Sequence, residues 1–126
     1  MTIIELMIVL IIIAILVALA YPSYVDYVRK ARRGEAHQLL LNWSINQEIF
    51  RSNHPEYAPI GSGPGQLPEP KHDNYTFTLP VRSATAYTLT ATAKGDQVND
   101  KTKAGANCSP MTLTQTGAKS PADCWN

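Results

Sequence analysis

The chain has 126 residues, a formal net charge of +1 and 44% hydrophobic residues. That length suits a single domain, and the balance of 11 basic against 10 acidic residues excludes a protein built around one large basic nucleic-acid surface. The composition also excludes a disordered chain, a collagen-like chain and a disulfide-dense miniprotein, and two cysteines cannot make a four-ligand zinc site unless histidines complete it.

The first element is apolar. Leu6 to Tyr21 reads LMIVLIIIAILVALAY, without a charge. With Ile3 and Ile4 the stretch covers about 19 positions, which at ~1.5 Å per residue approaches the ~30 Å of a bilayer core. A soluble protein could bury such a helix only in a much larger body than the rest of this chain provides. A cleaved signal peptide carries Lys or Arg ahead of its apolar run and small residues after it. Here nothing basic precedes the run, and Tyr21-Pro22-Ser23-Tyr24 follows. The stretch is expected to be retained and to sit in a membrane.

Glu5 is the only charged side chain before Asp26. A carboxylate at membrane depth is costly and marks a functional position by default. The nearest cation is the α-amino group of Met1, in the same chain or in a parallel neighbour. The first turn of a helix also favours a carboxylate through the macrodipole. The alternative is a Glu5 solvated by headgroups, with no specific role.

Thr2-Ile3-Ile4-Glu5-Leu6-Met7-Ile8-Val9, the apolar run, Ala20-Tyr21-Pro22-Ser23-Tyr24 and then Arg32-Arg33-Gly34-Glu35-Ala36 resemble the start of a mature type IV pilin. The family pattern is Phe-Thr-Leu-Ile-Glu-Leu, exposed by cleavage of a short basic leader ending in Gly. Met1 stands where the family usually has Phe, and Ala14 where many members have a helix-loosening Gly. The resemblance implies that the numbering begins at the mature chain and that the Met1 amine is N-methylated. It implies a prepilin peptidase that also methylates, and a pilus assembly machinery, as partners. It assigns Met1, Glu5 and Pro22 to assembly, with local melting between Ala14 and Pro22 in the filament.

Pro22 lacks an N–H and clashes with the preceding turn, so a helix through it should kink or open. Beyond it, Ala36, Leu39, Leu40, Trp43, Gln47 and Phe50 fall at i, i+3, i+4, i+7 spacing. That predicts an amphipathic helix over about residues 23–51, with Arg29, Arg33, His37, Asn42 and Glu48 on its polar face. Joined to the apolar run it makes one helix of ~50 residues, ~75 Å long. Residues 52–74, with Pro55, Pro59, Pro64, Pro68 and Pro70 among three glycines, predict a loop. It is either a plain connector or, as in pilins, a region that packs on neighbouring subunits.

Alternation of apolar residues with threonines predicts half-buried antiparallel strands over about 75–80, 86–93 and 111–115. Their apolar faces should cover the stripe that holds Trp43 and Phe50. Cys108 and Cys124 are expected to pair in an exported chain, closing the 108–124 loop. The Ala122-Asp123-Cys124-Trp125-Asn126 ending is most like a minor-pilin subfamily.

No catalytic constellation is present and no cofactor is expected. His37, His54 and His72 lack metal-ligand spacing and read as surface histidines. Asp96, Gln97, Asn99 and Asp100 are spaced like loop calcium ligands but lack the EF-hand pattern. Arg29, Lys30, Arg32 and Arg33 form the one basic cluster. It reads as a solvated face beyond a membrane segment, as intersubunit pairing, or as contact with DNA or anionic lipid.

These readings converge on an α+β fold: one long N-terminal helix packed on a small antiparallel sheet of three to four strands, with a disulfide-closed C-terminal loop. Residues 1–22 form the transmembrane or filament-core segment and 23–126 the globular domain. The resemblance implies a structural subunit, not an enzyme. It waits in the inner membrane, then assembles with copies of itself or with other pilins into a helical extracellular pilus. Such filaments serve adhesion and twitching motility, with DNA uptake as a further use that the residues themselves do not support. A type II secretion pseudopilin and a membrane-anchored binding protein are the alternatives.

Overall fold

A computed structural model describes residues 1–126. Helix α1 runs from Ile3 to Asn53 without interruption. Thr2 caps it: the Thr2 Oγ1 accepts from the Glu5 N–H at 3.2 Å, and the Thr2 N–H donates to Glu5 Oε2 at 3.4 Å. This reciprocal box satisfies two of the N–H groups that a helix start leaves orphaned. The helix continues through Pro22 without a break, although that residue gives no N–H to the Ala18 carbonyl. The melting that the resemblance implies belongs to the assembled filament, not to this single chain.

Four strands follow: β1 Tyr75–Arg82, β2 Tyr87–Ala93, β3 Met111–Thr114 and β4 Lys119–Ser120. They form an antiparallel meander in the order β1-β2-β3-β4, with Phe77 opposite Ala91 and Leu89 opposite Leu113. The β1–β2 ladder shifts register between Thr78 and Val81, around Pro80, which cannot donate to a ladder. Period-two alternation puts Tyr75, Phe77, Tyr87, Leu89, Ala91, Met111 and Leu113 on one face, all buried. They pack against Ala36, Leu40 and Trp43 of α1. Trp43 meets Phe77 edge-on at 6.4 Å.

Phe50, expected in this core, stacks instead on His54 with ring centroids 3.8 Å apart. Tyr57 joins the core from the 52–74 loop and lies edge-on to Tyr87 at 4.6 Å. Gln47 holds that loop down. Its fully buried amide donates to the Ala58 carbonyl at 2.9 Å and accepts from the Ala58 N–H at 2.8 Å, as a strand neighbour would. The apolar spacing of Gln47 is therefore real, but its work is polar.

Candidate functional site

Two surfaces and one buried junction remain after the core is accounted for. The first surface is the N-terminal half of α1. Its most apolar 18 residues have a mean hydropathy of 3.3, and none is buried in the single chain. A dry environment outside this chain must cover it. Glu5 forms no salt bridge with the Met1 amine here, and its carboxylate is engaged only by the Thr2 cap.

The outer side of the domain half of α1 was missed by the sequence reading. Leu41, Ile45 and Ile49 lie at i, i+4, i+8, opposite the buried stripe, and are 41%, 56% and 59% exposed. They form an apolar ridge on the same helix as the uncovered N-terminal half.

The junction lies where α1 meets the 3-10 turn Gly95–Asn99 and the segment after it. Arg29 Nε and Nη2 donate to both Asp96 carboxylate oxygens at 2.9–3.1 Å. This two-pronged pairing holds the Asp96 carboxyl below the usual carboxylate range. One turn further on, Arg33 Nη1 donates to Asp100 Oδ2 at 3.1 Å and to Cys108 Sγ at 2.8 Å. Both members of that pair are buried, Arg33 to 6% and Asp100 to 4% exposure. Burial pushes the Asp100 carboxyl upward, against the pull of Arg33. Fully buried Gln97 donates to the Arg29 carbonyl and to the Tyr75 hydroxyl.

This corrects one expectation: Arg33 is not on a solvated polar face, because a carboxylate 67 positions away neutralises it. In the calcium-like spacing of Asp96, Gln97, Asn99 and Asp100, both carboxylates are taken by arginines.

The C-terminal loop is closed by the Cys108–Cys124 disulfide. Trp125 stacks on His37 of α1 at 4.3 Å, with Lys119 over its ring at 5.4 Å. His37 is thus no surface histidine. Burial first, then the charges of Arg33 and Lys119, lower its pKa to about 4. His72 pairs with Glu35 at 2.7 Å and accepts from the Asn74 N–H, so it too is structural.

The His37 shift gives a testable pH dependence. A histidine whose folded pKa lies below its unfolded value of about 6.5 binds protons preferentially when unfolded. Its contribution is complete above about pH 6.5 and is lost as pH falls towards about 4. His37→Phe should flatten the loss of thermal stability between those limits while keeping the stack on Trp125. An unchanged pH slope would contradict the shift.

A family described as "Type IV minor pilin ComP, DNA uptake sequence receptor" matches residues 22–112. The chain belongs to this family. The pilin's match spans the domain half of α1, both arginine pairs and β1 to the start of β3, while Met1, Glu5 and Cys124 lie outside it. Among solved structures, a type IV pilin from Shewanella oneidensis matches with a TM-score of 0.60 and 23% identity, covering 78% of this chain and 98% of that one. That likeness shows the pilin fold. No curated protein matches the pilin.

Proposed function

We propose that the pilin is a minor subunit of a type IV pilus that carries a DNA-contacting surface on its C-terminal loops. Residues 1–22 form the membrane and filament-core segment, and residues 23–126 the displayed domain. The observation that carries the filament reading is the uncovered apolar half of α1, continued outward by Leu41, Ile45 and Ile49. A simple membrane anchor would leave that second ridge in water. Before assembly the subunit rests in the inner membrane, and afterwards it lies on the cell surface. A peptidase that also methylates the Met1 amine, and an assembly machinery, act on it between the two.

Charge supports the DNA reading, together with the receptor named in the family's description. Residues 94–126 hold four lysines and three aspartates. Arg29 and Arg33 take up Asp96 and Asp100, whereas Lys94, Lys101, Lys103 and Lys119 make no salt bridge. A nearly neutral sequence thus becomes locally basic by folding, and phosphate contacts from lysine supply sequence-independent affinity. Trp125 is already sandwiched between His37 and Lys119, so it does not serve as a platform for bases.

The test is binding of a labelled duplex to the full chain in detergent micelles. Lys101→Glu, Lys103→Glu and Lys119→Glu together should weaken it at least about tenfold and reduce the slope of log K against log salt by about 2–3. Unchanged affinity and slope would refute the DNA reading and leave the filament reading standing.

A further inference from the structure

The apolar run of α1 ends at Tyr21, and the domain begins to flank the helix only a few residues later. Lys101, Thr102 and Lys103 lie beside Asp26, Tyr27 and Lys30 on one side of it, around a groove of about 750 Å³. Lys71 and His72 lie beside Tyr27, Val28 and Arg32 on the other, around a groove of about 580 Å³. Tyr21 to Tyr27 spans about 9 Å of helix, so this rim lies just past the headgroup layer that borders a ~30 Å hydrocarbon core.

Two features of the rim point the same way. Tyr21, Tyr24 and Tyr27 are 68%, 65% and 72% exposed, as aromatic side chains at a lipid–water boundary are. Lys30, Arg32, Lys71, Lys101 and Lys103 form no salt bridge, and the rim's acids Asp96, Asp100 and Glu35 are engaged by Arg29, Arg33 and His72. On the Lys71 side Asp73 and Glu69 remain without a salt bridge, Asp26 is 3.5 Å from Arg29, and Asp123 borders the wider groove.

We propose that this rim is a docking surface for anionic phospholipid headgroups of the membrane that α1 spans. Continuity with the spanning segment and charge complementarity carry the assignment. The lysines stand within about one Debye length, ~8 Å at physiological salt, of a negatively charged surface. Docking sets the domain down on the bilayer, tyrosines at the boundary, and covers Lys101 and Lys103. Extraction into a filament uncovers them. The inference rests on the membrane-spanning reading above.

The experiment compares full-length chain in phosphatidylcholine vesicles with the same chain in vesicles holding one-third phosphatidylglycerol, reading amide hydrogen exchange over residues 100–107. Both preparations should float with lipid. Exchange should be at least about fivefold slower in the anionic vesicles, and that protection should vanish in high salt and in Lys101→Glu/Lys103→Glu. Equal exchange in both vesicles, with the chain inserted, would overturn the docking surface alone. A chain that floats with neither would overturn the spanning reading and the docking surface together. Protection by added duplex DNA, with none from anionic lipid, would assign the rim to nucleic acid and overturn the proposal.

Discussion

Replacing Glu5 by Ala is expected to remove the pilin from filaments while leaving its fold intact. In the single chain Glu5 touches only the Thr2 cap and is exposed, so the globular domain does not depend on it. On the proposed filament reading the uncovered helices pack on one another, and the Met1 amine of each added subunit pairs with the Glu5 carboxylate of a neighbour in an apolar surrounding. A buried charge whose partner is removed costs about 3–5 kcal/mol, and about 3 kcal/mol is roughly a hundredfold in population. Glu5→Gln separates the two roles. It keeps an oxygen for the capping box and loses the charge. Both variants should stay membrane-resident with the Cys108–Cys124 bridge formed, and both should fall about a hundredfold in sheared filaments, measured by quantitative mass spectrometry. A Glu5→Gln pilin that assembles like the wild type would mean that the cap matters and the charge does not.

The second large effect belongs to the domain. Arg33→Met leaves the Asp100 carboxylate buried without its cation, and removes the donor against Cys108 Sγ. The expected loss is about 3–5 kcal/mol in denaturant unfolding with the disulfide intact. Adding Asp100→Leu should restore most of that loss, because an apolar pair of similar volume escapes the desolvation penalty. Arg29→Met should cost far less, since Asp96 is exposed and water replaces its partner. A double variant as unstable as Arg33→Met alone would show that the pair holds the turn in place by its hydrogen bonds and not by its charge balance.

How far the sequence was legible follows from the range of each interaction. Helix α1 and strands β1–β3 are periodic over many residues, so their pattern survives in the chain itself. Strand β4 is two residues long, too short for any period. Arg33 was misplaced because residue type assigns a charge to water, and its carboxylate comes from a segment 67 positions away. His37 was misread likewise: nothing local announces a Trp125 ring on its face. The Leu41, Ile45 and Ile49 ridge was hidden by the core stripe, because a helix that is apolar on two faces loses the contrast that amphipathicity relies on. Gln47 shows the reverse case, a correct burial read from spacing with the wrong chemistry attached. The Glu5 signal was legible, since a lone carboxylate in an apolar run is conspicuous. Its cap was legible too in the Thr2-Ile3-Ile4-Glu5 spacing of a capping box, a local signal that the reading of Glu5 as an assembly residue passed over.

On the proposed reading, the uncovered N-terminal half of α1 is covered by the same segment of other pilins. A photo-reactive amino acid at Ile12, in cells that make pili, tests it most directly. After irradiation, sheared filaments should contain this chain joined through position 12 to the apolar helix of a second pilin subunit. Adducts confined to membrane lipid, with none of the chain in the sheared fraction, would contradict it.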